Sequence, residues 1–597
     1  MLKVDPVFGR RTFFLWDAIE IMLFVTSADY SRKSHAHPVK SASGLYKLRC
    51  QPSPNAARCG AAAGAIGSPG SDTPAPTPLI LLRSRPRYFR KSGGNMHQVL
   101  SQKAETGVKG LDDVLSGGFT RRHVFLLEGS PGTGKTTIAL QFLIEGEIRG
   151  ERCLYISLSE TDEELRDCAR SHGMEIGSGI EIFELVPPES LLDAEQQQSL
   201  LYSSDLELGE TTKLIFQAFE RIKPQRVVID SLSEIRLLAQ SSLRYRRQIL
   251  ALKHFFARSD ATVLLLDDMT SENFDKTVHS VVHGVIHLEQ LAPDYGSERR
   301  RLRVIKYRGQ AFRGGYHDFT IKTGGVAVFP RLRAIEHRTE FERTTLSSGL
   351  SEFDGLLGGG VERGSSTLLI GPAGTGKSLF ALQFVNAAVE RGEKAAVFIF
   401  DEELGLLYAR TRSMGIDLEK LQADGHIHIE QLDAAELSPG EFAQRVRDRV
   451  STFDAKTVVI DSINGYQASM PEENALILHM HELLQYLNRQ GANTFLTVAQ
   501  HGLVGDMKSP VDVTYLADSV ILLRYFEALG KVRRAVSVIK KRTGPHEDTI
   551  REFRISGNGL TLGEPLSDFQ GILRGVPNFV GDQHPLLPLN GEGSKNS

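Results

Sequence analysis

The sequence predicts an α/β fold built twice: two tandem domains, each a mainly parallel sheet flanked by helices. Three observations predict it. One glycine-rich motif occurs at two places, each copy lies between a strand pattern and a helix pattern, and the same order of landmarks follows both. The first copy runs from Gly129 to Thr136 and reads GSPGTGKT; the second runs from Gly371 to Ser378 and reads GPAGTGKS. Both fit G-x-x-x-x-G-K-[ST], whose glycines let backbone N–H groups turn inward around phosphate oxygens. The lysine reaches the outer phosphates and the final hydroxyl ligates magnesium. A helix starting at the loop adds its dipole to the anion site.

Residues 1–95 stand apart. From Pro52 to Pro86 the chain is Ala, Pro, Gly, Ser and Arg with little apolar periodicity, which predicts a disordered leader. The apolar stretch Phe13 to Val25 is short and is interrupted by Asp17 and Glu20, so it is no ordinary membrane span. It reads as one sticky helix, with an amphipathic anchor or a targeting helix as alternatives. Met96 opens the ordered pattern, and a translation start there would account for everything before it.

Residues 96–330 form the first domain, with strands expected at Val124–Glu128, Cys153–Ser159, Arg226–Asp230, Thr262–Asp267, Val285–Glu289, Leu302–Tyr307 and Phe319–Lys322. Helical patterns fill the gaps after the first four, which predicts a parallel sheet covered on both faces; the later strands crowd together as an antiparallel extension. A polar connector, 331–345, leads to the second domain, 346–573. Its strands are expected at Thr367–Ile370, Ala396–Phe400, Thr457–Asp461, Thr494–Ala499, Ser519–Arg524, Ala535–Lys540 and Ile550–Ile555. About 95 residues separate the loop lysine from a strand-end aspartate in the first domain and about 84 in the second, so internal duplication is the economical explanation. Residues 574–597 return to Pro, Gly, Asn and Ser and read as a flexible tail.

Composition excludes several classes. The net charge is only -3, so no global basic field marks a nucleic-acid binder. The four cysteines, Cys50, Cys59, Cys153 and Cys168, form no C-x-x-C pair, which removes a zinc module and fits a reduced cytoplasmic protein.

The candidate nucleotide contacts are Gly129, Ser130, Gly132, Thr133, Gly134, Lys135, Thr136 and Thr137, then Gly371, Ala373, Gly374, Thr375, Gly376, Lys377, Ser378 and Leu379. Asp230 and Asp461 end apolar strands, where a carboxylate beside the phosphate loop can hold magnesium together with Thr136 and Ser378. Acidic groups also follow the next strand: Glu160 after Ser159 in the first domain, and Asp401, Glu402 and Glu403 in the second. Such groups orient or deprotonate the attacking water or hydroxyl, or simply favour the first turn of a helix, and Glu160 and Glu402 are the stronger candidates. Finally, Lys306 and Arg308, and Lys540 and Arg542, occupy alternate positions on late strands. Residues i and i+2 share a strand face, so each pair points one way and suits a neighbour's nucleotide; a solvated edge strand is the plain alternative.

On these residues, from about Gly107 to Gly581, the chain resembles the KaiC family of tandem RecA-like P-loop ATPases known from the cyanobacterial clock, and more closely its broader group of bacterial relatives. Arg299 to Gly309, Thr320 to Pro330, Asp518 to Glu527 and Ile550 to Ile555 carry the likeness beyond the shared loops. The resemblance implies ATP and Mg2+ as cofactors and a double-ring homohexamer with ATP between subunits. It implies slow hydrolysis in the first ring and autophosphorylation in the second, with Lys306, Arg308, Lys540 and Arg542 reaching the neighbour's ATP. Two departures stand out. The family's paired glutamates are Ser159-Glu160 and Asp401-Glu402 here, and its Ser-Thr acceptor pair is Thr514-Tyr515, which keeps a nucleophile only at Thr514. The expectation is a cytoplasmic signalling or regulatory ATPase with a Ser/Thr autokinase site at Thr514 and unidentified protein partners. A DNA-repair ATPase acting on single-stranded DNA is the alternative, disfavoured by the charge; a nucleotide-gated scaffold is a third.

Overall fold

The computed structural model describes residues 103–185, 200–269, 277–293, 296–468, 470, 473–500, 513–557, 559–574 and 577–581. All belong to one compact unit, Arg90–Ser597. The expectations for the leader, for a start at Met96 and for most of the tail lie outside the described residues.

The first large sheet has nine strands. In chain order they are β1 (Val124–Gly129), β2 (Cys153–Ser157), β3 (Ile180–Glu184), β4 (Arg226–Asp230), β5 (Thr262–Asp268), β6 (Gly284–Leu291), β7 (Arg299–Tyr307), β8 (His317–Lys322) and β9 (Gly325–Phe329). In space they run β3-β2-β4-β5-β1-β6-β7-β8-β9. Pairing is parallel from β3 to β6 and antiparallel from β6 onward. Every residue of β1, β2 and β4 is buried, as a strand covered on both faces requires. Alternation sends Phe125 and Leu127 into one core, with Phe142 and Tyr155, and Val124 and Leu126 into the other, with Ile229 and Leu265.

The second sheet repeats the first. Its strands are β10 (Ser366–Gly371), β11 (Lys394–Ile399), β12 (Ile427–Gln431), β13 (Ala455–Asp461), β14 (Asn493–Ala499), β15 (Ser519–Ala528), β16 (Lys531–Lys541), β17 (Arg551–Ser556) and β18 (Gly559–Pro565). Their order, β12-β11-β13-β14-β10-β15-β16-β17-β18, is the first order shifted by nine. Each strand expected from sequence is present, within a few residues at its ends. In the two large sheets four were missed: β3 and β12 at one edge, β9 and β18 at the other. β3, β12 and β18 keep several positions partly exposed and carry little apolar signal, whereas β9, Gly-Val-Ala-Val-Phe, is an apolar run two residues after β8 that was not separated from it.

The connector is held rather than free. Leu332 and Ala334 are buried in the second domain's core, the Ala334 N–H donates to Glu482, and the Thr339 N–H donates to the Arg489 carbonyl. The start of the tail is tied too, since Phe569–Gln570 pairs with Asn578–Phe579. The domains also meet directly: the Gly440 N–H donates to Asp318 at 2.7 Å, Arg299 donates to the Ala434 and Leu437 carbonyls, and Lys322 pairs with Glu441.

One buried cation anchors β4. Arg226 is fully buried; it donates to Glu151 at 2.5 Å and to the Glu105 and Phe142 carbonyls at 2.7 Å each. Replacing it by Leu strands the two carbonyls and leaves Glu151 with Arg121 alone, so Arg226→Leu should cost the first domain about 3–5 kcal/mol. A midpoint of thermal unfolding unchanged from the parent would contradict this.

Candidate active site

Both phosphate loops leave the carboxyl end of the central strand of their sheet, β1 and β10, between neighbours on either side. In an open α/β sheet this is where ligands bind. The loop backbones are near copies. Gly132 and Gly134 have φ of 80° and 95°, and Gly374 and Gly376 have 75° and 109°, a region side-chain-bearing residues rarely enter. A Cβ on Gly134 would lie 2.6 Å from Ile321, and one on Gly376 would lie 2.9 Å from Ile555, so β8 and β17 wall in the loops. Thr133 closes its loop by donating to the Ser130 carbonyl at 2.8 Å, as Thr375 does to Pro372 at 2.9 Å.

The lysines sit under these loops. Lys135 Nζ donates to the Gly129 and Ser130 carbonyls at 2.9 Å each and pairs with Asp268 at 2.7 Å. Lys377 Nζ donates to the Gly371 and Pro372 carbonyls at 3.0 and 2.8 Å. Burial pushes the Lys377 ammonium down, and Asp461 works against that. Thr136 and Ser378 open the helices Lys135–Ile148 and Lys377–Glu390 together with the buried Thr137 and Leu379, while the Ala373 carbonyl accepts from Tyr525.

The strand-end aspartates stand where the sequence places them. The Thr136 hydroxyl donates to Asp230 at 3.3 Å, and the Tyr155 hydroxyl donates to the same oxygen at 2.6 Å. Burial raises the Asp230 carboxyl, Tyr155 offsets that, and Asp268 adds to it. In the second domain Thr497 donates to Asp461 at 2.5 Å, and the neighbouring Ser462 hydroxyl donates to Asp401. Tyr155, Asp268 and Thr497 were not singled out from sequence. Only strand pairing, such as Ser157 beside Asp230, brings them in.

The acidic candidates separate by environment. Glu160 is half-buried, and its carboxyl is raised by burial and then by Asp230, Glu164 and Asp268. Glu402 is raised by burial and by Asp461, against Arg410, which pairs with it at 2.7 Å. Raised carboxyls beside a phosphate loop suit proton transfer. Glu403 instead caps the helix Leu404–Arg412, accepting from the Leu406 N–H at 2.9 Å. A cavity of about 590 Å³ opens beside the second loop, between Lys377 and Ser378 on one side and Arg410, Met414, Ile555 and Ser556 on the other. It is large enough for a nucleotide.

The basic pairs lie elsewhere. Lys306 donates to the His279 and Val282 carbonyls and Arg308 to that of Ser280. Lys540 donates to the Thr514 and Ala517 carbonyls, and Arg542 to that of Tyr515. These anchoring turns precede β6 and β15, which run parallel to β1 and β10 with Gly284 beside Phe125 and Ser519 beside Thr367. Each pair, and Thr514 with it, therefore stands at the amino end of the strand whose carboxyl end bears its own phosphate loop.

A family profile described as "ATPase: KaiC" matches residues 104–333 and again residues 346–567. The chain belongs to the KaiC ATPase family. It is similar to the circadian clock protein KaiC3 of Synechocystis sp., with 27% identity over 489 residues, covering 80% of this chain and 95% of that one. It is similar also to the circadian clock oscillator proteins KaiC of Parasynechococcus marenigrum, at 28% over 501 residues, and of Synechococcus elongatus, at 27% over 496. Those matches cover 82% and 81% of this chain and 95% and 93% of the relatives. The resemblance read from the motifs is thereby confirmed, and the protein is a KaiC-like ATP-binding protein of an ATPase family. No helix among the described residues is long and apolar enough to cross a membrane.

Magnesium fits both sites. The donors on offer are one carboxylate and one hydroxyl per domain, hard oxygens that leave room for water and substrate phosphates, as this ion prefers. Among the described residues no cluster of three metal-ligating side chains competes for it.

Burial, then Arg308 and Lys253, push the Lys306 ammonium down to about 8. Its charge is lost as pH rises through that value. The role that the resemblance implies for Lys306 then predicts that first-domain kcat/KM falls above about pH 8, and that Lys306→Arg, charged throughout, removes that alkaline limb.

Proposed function

We propose that the protein hydrolyses Mg-ATP in a homohexameric double ring and transfers phosphoryl groups from ATP to Thr514 of the adjacent subunit, acting in signalling. The observation that carries this reading is the separation of parts. Register sets Lys540 opposite Val520, beside Leu368, and Arg542 beyond it at the level of Ser366, so the pair, with Thr514 bonded to Lys540 through its carbonyl, lies about 10–16 Å along the strand from Gly371. A neighbouring subunit's ATP is the natural target, with that pair neutralising charge on the transferred group. In each loop the amides and the lysine would hold the phosphates, and Asp230 with Thr136 in the first domain, or Asp461 with Ser378 in the second, would hold magnesium, which would supply charge neutralisation there. The Thr514 hydroxyl oxygen bonds to the γ-phosphorus as its bond to the ADP oxygen breaks, and the Glu402 carboxylate beside that ATP takes the hydroxyl proton. In the first domain Glu160 orients water for hydrolysis, with Ser159 exposed beside it.

The DNA reading finds no support in the arginine-rich strand β7: Arg299 is spent on second-domain carbonyls, Arg300 on Glu298 and Arg301 on Glu289. The deciding experiment is label partitioning with γ-labelled ATP and magnesium. Label retained on wild-type chain and lost in Thr514→Ala establishes the autokinase. Label found only as free phosphate leaves an ATPase and refutes the transfer.

A further inference from the structure

Three positions set the two domains apart where their backbones correspond. Glu128 precedes the first loop glycine and lies beside His287 across β1 and β6; the matching positions of the second sheet hold Ile370 and Leu522. Lys306 is held by the carbonyls of His279 and Val282, and Lys540 by those of Thr514 and Ala517, so His279 stands at the place of Thr514. The first domain thus has a carboxylate and two imidazoles where the second has Ile, Leu and Thr.

These three side chains meet. Glu128 is buried, with one oxygen 2.7 Å from His279 Nε2 and the other 3.2 Å from His287 Nδ1. Such partners are what a buried carboxylate needs. Glu128 leads directly into Gly129, whose carbonyl accepts from Lys135. His279 lies on the short helix Thr277–Val281; its own carbonyl accepts from Lys306, and that of Ser280 accepts from Arg308 at 2.7 Å. One turn of chain is therefore pinned by a side chain to the root of the phosphate loop and by its backbone to the basic pair.

We propose that His279 is a positioning residue that couples the phosphate loop of its own subunit to the Lys306–Arg308 pair serving the next, with Glu128 as its anchor. The proposal rests on the trans role of that pair and concerns the first domain alone. Hydrogen bonds to an ionised carboxylate are strong and directional, and a small displacement of a charge-stabilising group costs rate rather than binding.

The test uses the full chain carrying Lys377→Ala, so that turnover comes from the first domain. His279→Ala should lower kcat about tenfold while KM stays within about twofold. His279→Gln, whose amide can still donate to Glu128, should recover most of that loss. Combined with Lys306→Ala, His279→Ala should add nothing, because both act through one group. Unchanged kcat in His279→Ala, or a loss that multiplies with that of Lys306→Ala, overturns the proposal. Full activity in Lys306→Ala alone would instead overturn the trans role, so the two failures are told apart. Should His279→Ala fail to assemble, Glu128→Gln takes its place in the same cycle, with the same non-additivity expected.

Discussion

Lys377→Ala should strip ATP from the second domain and lower bound nucleotide from two per chain to one. Lys377 is almost fully buried beneath its loop, with its ammonium held between the Gly371 and Pro372 carbonyls at the loop mouth. An alanine there deletes the only loop group that can meet phosphate with a full positive charge. Charge-assisted hydrogen bonds are worth about 1.5–3 kcal/mol each, so affinity should fall by roughly 100-fold or more. The first domain should keep its nucleotide, because Lys135 serves a separate loop with its own partners, including Asp268. Equilibrium dialysis with labelled ATP checks this; two nucleotides still bound per mutant chain would refute the assignment.

The second large effect is recovery of activity on mixing two inactive chains. Let one carry Lys135→Ala and the other Lys306→Ala with Arg308→Ala, both with the second domain silenced by Lys377→Ala. The first lacks a working phosphate loop, the second the pair proposed to reach across. Arginine fingers supplied in trans contribute about 10³–10⁵ in rate, so each homogeneous ring should be nearly silent. Mixed rings place an intact loop against an intact pair at roughly a quarter of interfaces under random closed-ring assembly, and activity should return in that proportion. Activity that never exceeds the sum of the separate chains would show that the basic pair does not act across subunits.

Prediction and structure agree most closely where burial is complete. β1, β2, β4 and β5, with their partners β10, β11, β13 and β14, are apolar runs, five of them ending at glycine or aspartate, and such runs are legible because both faces must leave water. The phosphate loops are legible for another reason: the φ values at Gly132, Gly134, Gly374 and Gly376 restrict what residue can stand there. The edge strands were not legible, since Ile180–Glu184 and Ile427–Gln431 alternate over only three or four residues. Nor was the connector, whose polar sequence hides the burial of Leu332 and Ala334. Glu403 reads like its neighbour Glu402 in sequence and differs only in what its carboxylate meets.

By itself, the sequence determined the duplication, the two loops with their lysines, hydroxyls and strand-end aspartates, and the family. Each rests on contacts within a few residues or on periodic burial, both written locally in the chain. Tertiary structure alone decided which groups converge on those parts. It set Tyr155 and Thr136 on Asp230, Ser462 on Asp401, and Arg410 on Glu402. It also placed Thr514 and both basic pairs at the far end of the sheet from their own loops, and tied Glu128 to His279. Strand order and register fix such meetings between residues distant in sequence, and neither quantity is encoded at any one position.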